Sequence, residues 1–217
     1  MSFQKNGQKW NGQKWDKASV LHYAHDALHV SRETCEKLEL YVALLQKWQK
    51  AINLVSGKTL DDVWERHILD SLQLVSHLPK EPMTILDCGS GAGLPAVILA
   101  MTTSHQIEMV ESDTRKCAFM QTALLETQTQ AVIHNERLET LSYRNADIIT
   151  ARAFAPLDRL SDWTLPQHKD GQIFWLLKGR GVNEELTLLA NSQKVESTLY
   201  PSLASGDGVI LQMKRMA

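Results

Sequence analysis

Apolar positions follow two different rhythms along this chain. Before residue 80 they recur at helical spacing only. Asp16 to His29 is predicted helical, with Leu21, Ala24 and Leu28 on one stripe, and Ser31 is placed to cap a longer helix running to about Ile52. In that helix Leu38, Tyr41, Val42, Leu45 and Trp48 form the apolar face. Thr59-Leu60-Asp61-Asp62 resembles a capping box opening a third helix to His77, with Val63, Leu69, Leu72 and Val75 turned inward. Pro79 and Pro82 then mark a boundary. From Met83 onward, short apolar runs alternate with helical patterns. Strands are expected at 83–87, 107–111, 131–134, 147–150, 172–177, 194–199 and 208–214, and helices at 95–103, 114–127, 156–164 and 182–191. Such alternation predicts an α/β fold with a parallel sheet covered on both faces. No good helix separates the last two strands, which are expected to pair as an antiparallel hairpin at the sheet edge.

Composition narrows this picture. At 217 residues the chain accommodates one α/β domain plus a modest helical extension. The expected organisation is a flexible tail over 1–15, a helical extension over 16–79, and the α/β domain over 80–217. Residues 6–10 and 11–15 repeat the pentapeptide Asn-Gly-Gln-Lys-Trp. An incidental duplication is the favoured reading, with Trp10 and Trp15 stacking on RNA as the alternative. No apolar run approaches a membrane span, and the N-terminus lacks a signal peptide's apolar stretch, so a cytoplasmic protein is expected. Cys35, Cys88 and Cys117 form neither a disulfide framework nor a zinc pattern. Residues 1–80 carry a net charge of +2 and residues 81–217 a net −4. The N-terminal third is therefore the side expected to face anions.

The chemistry is concentrated where strand gives way to helix. Thr84-Ile85-Leu86-Asp87-Cys88-Gly89-Ser90-Gly91-Ala92-Gly93-Leu94-Pro95 ends an apolar run in an acid and opens into three alternate glycines. The next apolar run ends in Glu111. Glycine permits positive φ and close approach to the main chain, and Glu111 is placed to accept the hydroxyl protons of a ribose. The spacing is not the G-x-G-x-x-G of a dinucleotide site, and no P-loop lysine follows. Asp87 would repel a pyrophosphate but suits a cofactor bearing an ammonium and a sulfonium. S-adenosylmethionine meets these demands.

Other candidates are weaker. His22, His25 and His29 share a helix face, but without an evident fourth ligand no metal is expected. Cys88 and Cys117 read as packing residues. Thr150-Ala151-Arg152-Ala153-Phe154 ends the fourth strand where exocyclic-amine methyltransferases carry an acceptor motif. Arg152 offers donors and charge instead, and its burial without a ligand would be costly.

Together these residues resemble the bacterial 16S rRNA guanine-N7 methyltransferase family of the RsmG (GidB) type. The resemblance spans about Ser31 to Leu189. It rests on the Asp87–Pro95 loop, Asn53-Leu54, Arg66-His67-Ile68-Leu69-Asp70-Ser71, Ala151-Arg152-Ala153-Phe154-Ala155 and Leu177-Lys178-Gly179. One departure is Ala96, where many members carry glycine. The resemblance implies a seven-stranded class I, Rossmann-like methyltransferase fold with an N-terminal helical extension. S-adenosylmethionine is the implied cofactor, and a guanine of the 16S decoding-region loop in the small ribosomal subunit is the implied acceptor. Family cofactor positions fall on Gly89, Leu94, Leu138, Glu139 and Arg152, which join Asp87, Gly91, Gly93 and Glu111 from the residue reading. Arg152 is the candidate for orienting cofactor or guanine, and Arg115, Lys116, Lys178 and Arg180 are candidates for RNA phosphates. A monomer is the default. The rival expectations are a methyltransferase acting on a small molecule or protein, and a non-catalytic cofactor-binding assembly factor.

Overall fold

In a computed structural model the described residues are 14–141, 146–164, 171–204, 206 and 208–215. Strands β1 (Thr84–Cys88), β2 (Gln106–Val110), β3 (Val132–His134), β4 (Ile148–Arg152), β5 (Ile173–Lys178), β6 (Val195–Pro201) and β7 (Val209–Arg215) form one sheet. Its order is β3-β2-β1-β4-β5-β7-β6. The β1–β5 ladders are parallel, and β7 enters antiparallel between β5 and β6. The expected terminal hairpin is therefore present, with β6 at the edge. β1, β4 and β5 are buried on both faces along most of their length, which is why they read as apolar runs, whereas β2 alternates through the exposed Gln106 and half-buried Glu108.

Helix α1 (Lys17–Leu28) starts at an Asp16 N-cap that exchanges hydrogen bonds with Ser19, and α2 (Arg32–Gln49) starts at the Ser31 cap expected from sequence. The third helical segment departs from expectation. Thr59 does not cap it. Its hydroxyl bonds the Ser56 carbonyl and the His67 ring, and Gly57–Thr59 forms its own 3₁₀ turn. The chain then enters a π turn at Trp64–Leu69, continues through α3 (Asp70–Leu72), and leaves by a 3₁₀ turn at Gln73–Ser76. Three hydrogen-bond patterns in one short rod mark a segment shaped by its contacts rather than by propensity, and π turns recur at functional sites. On the sheet domain, α4 (Ala96–Thr102), α5 (Thr114–Glu126), α6 (Leu157–Thr164) and α7 (Val182–Ala190) follow β1, β2, β4 and β5.

The extension shares a core with the sheet domain. Tyr41 is fully buried, packs on Phe119 of α5, and donates its hydroxyl to the Ala92 carbonyl of the glycine loop at 2.7 Å. Trp48 meets the same Phe119 edge-on. Trp15, the last residue of the expected tail, is buried and packs edge-on against Tyr23. Lys14 pairs with Asp62. Trp10 and the rest of the tail lie outside the described residues. Among those described, no helix is long and apolar enough to cross a membrane.

Candidate active site

The C-terminal ends of β1, β2 and β4 hold the first half of the site. Asp87 is fully buried, and its Oδ1 accepts the Thr150 hydroxyl from β4 at 2.8 Å. Its Oδ2 is buried with no hydrogen-bond partner. Burial pushes the Asp87 carboxyl up to about 7, against the opposing pull of Ser90, Thr150 and the Arg152 charge, and with a further upward push from Glu111. A buried oxygen without a donor is costly and marks a place where a cationic ligand group would be welcome.

The loop after β1 explains its glycines by geometry. Gly89 sits at φ +67°, and a Cβ there would fall 1.9 Å from the Phe154 ring. Gly93 sits at φ +79°, with its missing Cβ only 2.4 Å from Val97. Both positions are closed to any larger residue. Glu111, buried just past β2, accepts the Gly91 N–H at 2.9 Å through one carboxylate oxygen and the Asp113 N–H at 2.8 Å through the other. Its orientation is thus fixed by backbone donors, while each oxygen keeps a second lone pair for a ribose hydroxyl. Leu94 is buried in the main core, and Leu138 is buried in a cluster with Leu86, Cys88 and Val110. Glu139, beside Leu138, is exposed. These residues fit S-adenosylmethionine on chemical grounds: an orphaned buried acid for positive charge, a fixed acid for hydroxyls, and a loop whose main chain is open at Gly91, where a Cβ would find nothing closer than 3.9 Å.

The second half is a cleft of about 710 Å³ between the extension, the ends of β4 and β5, and the β6–β7 turn. Arg66, Arg152, Lys178 and Arg180 line it, along with His67, Asp70 and Phe154. Arg152 Nη1 donates to the Arg66 carbonyl at 3.1 Å and pairs with Asp70 Oδ2 at 3.5 Å. Burial holds the Asp70 carboxyl above its ordinary value even though Arg152 opposes the shift. His67 is driven down to about 3 by burial and by the charges of Arg152 and Arg66, so its ring is neutral. Thr59 spends its hydroxyl proton on the Ser56 carbonyl, so the His67 Nε2 carries the hydrogen of their shared bond.

Lys178 is tied down. Its ammonium donates to the Ala155 carbonyl and to Glu185 Oε2, both at 2.8 Å, and the same Glu185 oxygen accepts the Leu157 N–H. It clips the 153–157 loop in place, a task the sequence did not reveal. That loop carries Ala153 at φ +48° and lays Phe154 on Gly89 and against Trp163. Phe154 therefore stands between the glycine loop and the cleft.

The structure brings Lys178 and Arg180 together but not all four RNA candidates. Arg115 and Lys116 begin α5 beyond β2, with β1 and β4 intervening, and Arg115 pairs with Asp113 at 3.1 Å. His22 and His25 turn their Nδ1 atoms to Asp26 at 3.3 and 2.7 Å, while His29 closes α1 in a left-handed conformation. Among the described residues, no group of three potential ligands is placed to hold a metal. Cys88 and Cys117 are buried, and burial raises both thiols above their ordinary values. Asp70, Arg66 and Gln73 were missed as site residues. The signal available was an acid within the buried stretch Ile68–Leu74.

The chain is 43% identical over 188 residues to the ribosomal RNA small subunit methyltransferase G of Paramagnetospirillum magneticum, covering 87% of this chain and 92% of that one. It is 44% identical over 184 residues to the enzyme of the same name from Rhodospirillum rubrum, covering 85% and 92%. Among solved structures, a TehB-like SAM-dependent methyltransferase from Corynebacterium glutamicum aligns with a TM-score of 0.55 at 12% identity, covering 82% of this chain and 100% of that one. An rRNA methylase from Streptococcus thermophilus aligns at 0.50 and 10% identity, covering 70% and 94%. At such identities these two establish the fold alone. The family model described as rRNA small subunit methyltransferase G matches residues 34–208, and the chain belongs to that family.

Proposed function

We propose that this chain transfers a methyl group from S-adenosylmethionine to N7 of a guanine in the decoding-region loop of 16S rRNA. Family membership supports the reaction class. The observation that carries the reading is adjacency: the acid-and-glycine site at β1 and β2 and the cation-lined cleft at β4 and β5 meet at Phe154. A cationic methyl donor and an anionic acceptor strand would then meet beside that ring.

When bound, S-adenosylmethionine supplies an electrophilic methyl group on a sulfonium. Guanine N7 carries an in-plane lone pair and no hydrogen, so no proton need be removed. The absence of a base requirement agrees with the groups nearest the site: Cys88 and Cys117 are buried thiols, and burial and the charges of Arg152 and Arg66 hold His67 down at about 3, too weak a base at neutral pH. What remains for the chain is positioning and exclusion of water. Asp87 faces the positive end of the cofactor, Glu111 holds its ribose, and Leu138 and Glu139 border its adenine. Arg152 donates to the O6 edge of guanine and leaves the N7 lone pair free. Phe154 offers a stacking face. N7 lies in the deep, narrow major groove of A-form RNA, so the base must be presented from a loop or splayed strand. Arg66, Lys178 and Arg180 contribute positive potential along that path, with Arg115 and Lys116 as outlying phosphate contacts. The enzyme is proposed to act as a cytoplasmic monomer without a metal ion.

The test uses 30S subunits from a strain lacking this activity, incubated with the protein and labelled S-adenosylmethionine. The expected product is N7-methylguanosine at one loop position, mapped by mass spectrometry. Tight cofactor binding with no label entering 16S rRNA, naked or assembled, would overturn the assignment.

A further inference from the structure

Arg152 lines the cleft and is paired there with Asp70. Its partner Asp70 is anchored in turn by Gln73, which is 1% exposed. The Gln73 amide nitrogen lies 3.0 Å from Asp70 Oδ1, 3.1 Å from the Asp70 carbonyl and 2.9 Å from Ser202 Oγ. Two hydrogens thus serve three acceptors. The Gln73 carbonyl oxygen accepts the Leu203 N–H at 2.7 Å and lies 3.3 Å from the Ser202 hydroxyl. Ser202 Oγ also takes the Ala204 N–H at 3.1 Å, and the Ser202 N–H bonds the Gly208 carbonyl across the β6–β7 turn. Three segments far apart in sequence are therefore joined by one polar chain: the tip of β4, the α3 rod, and the β6–β7 turn. All three are walls of the cleft.

We propose that Asp70 is a positioning residue for the acceptor side, aiming the Arg152 guanidinium into the cleft, with Gln73 coupling its setting to the Ser202–Leu203 turn. Geometry supports this role over generic packing in two ways. The Arg66 carbonyl, offered by the π turn, and Asp70 Oδ2 both engage Nη1, so one edge of the guanidinium is held and the remaining N–H groups are left to face a ligand. Gln73 uses both ends of its amide, donating to the acid and accepting from the turn, which neither a hydrocarbon nor a carboxylate can reproduce. The inference rests on the reading of Arg152 as a guanine-orienting group.

A double-mutant cycle tests it. Asp70→Asn keeps the shape but removes the charge facing Arg152, and Arg152→Lys keeps a charge but loses the planar fork. Single-turnover methylation of 30S subunits is measured for wild type, both single variants and the double variant, alongside cofactor affinity by calorimetry. Each single variant is expected to lose on the order of ten- to a hundredfold in rate, the size of one charged hydrogen bond or two. The double variant should lose scarcely more than Arg152→Lys alone, and cofactor affinity should stay at the wild-type value. Losses that multiply would overturn the proposal, since a merely structural Asp70 acts independently of Arg152. A parallel loss of cofactor affinity would also overturn it, by moving Arg152 to the cofactor side. Full activity in Arg152→Lys would instead reject the reading of the cleft, and this inference with it. If Asp70→Asn fails to fold, Gln73→Met and Ser202→Ala take its place in the same cycle, with the same two outcomes.

Discussion

Replacing Asp87 by asparagine separates two consequences of burying an acid where a cation is to bind. In the ligand-free protein the Asp87 carboxyl sits at about 7 rather than 3.8. Between those values the folded chain binds a proton that the unfolded chain has released. Stability from this group is therefore fully present below about pH 4, declines as pH rises, and levels off above about pH 7. The shift of about three units corresponds to on the order of 4 kcal/mol across the window. Glu111, at the end of β2, steepens the effect, while Arg152 from β4 and the Ser90 and Thr150 hydroxyls moderate it. Asp87→Asn has no proton to lose, so urea unfolding of that variant should lack this decline and show a gain over wild type at about pH 8.

Binding should follow the opposite trend. A cofactor with an ammonium and a sulfonium prefers the ionised acid, so below about pH 7 binding must expel the Asp87 proton. Apparent affinity should then fall about tenfold per pH unit on the acid side and stay flat above about pH 7. Calorimetry in two buffers of different ionisation enthalpy reads the released proton directly. The expected outcome is close to one proton released at about pH 6 for wild type and none for Asp87→Asn, whose affinity is lower throughout the neutral range. A wild-type affinity that ignores pH, or the same slope retained in Asp87→Asn, would refute the assignment of Asp87 as the cation's partner.

Three further outcomes follow from single contacts. Gly89→Ala forces a Cβ to within 1.9 Å of the Phe154 ring at φ +67°; the backbone alone should cost about 1–2 kcal/mol, and calorimetry should find cofactor binding abolished. Thr150→Val removes the 2.8 Å donor to Asp87 Oδ1, so about 1–3 kcal/mol of stability should be lost at about pH 8, and the pH midpoint assigned to Asp87 should move up. Trp15→Ala deletes a ring that is 7% exposed and should cost about 3–5 kcal/mol in chemical denaturation; a change within experimental error would return residue 15 to the tail.

The contrast between what sequence revealed here and what it missed has a physical origin. β1, β4 and β5 were visible because burial on both faces makes a strand apolar over several residues, β2 showed only the short apolar stretch Met109-Val110, and Asp87 and Glu111 stood out because each follows such a stretch. Periodicity is local, however, and reports which face is buried rather than which polar group waits there. Thr59 matched a capping pattern but found better partners in Ser56 and His67, and the Lys178 clip depends on Glu185 one helical turn into α7. Contacts such as Arg152 to Asp70, 82 positions apart, leave no periodic trace. A trace of another kind was present. The third helix placed Asp70 between Leu69 and Leu72, both assigned to its buried face, and the fourth strand implied a buried Arg152. Each charge alone would be expensive to desolvate, and each is tolerable when paired and hydrogen-bonded. Two unexplained buried charges of opposite sign in one small protein are each other's simplest explanation. Pairing them docks the extension against β4.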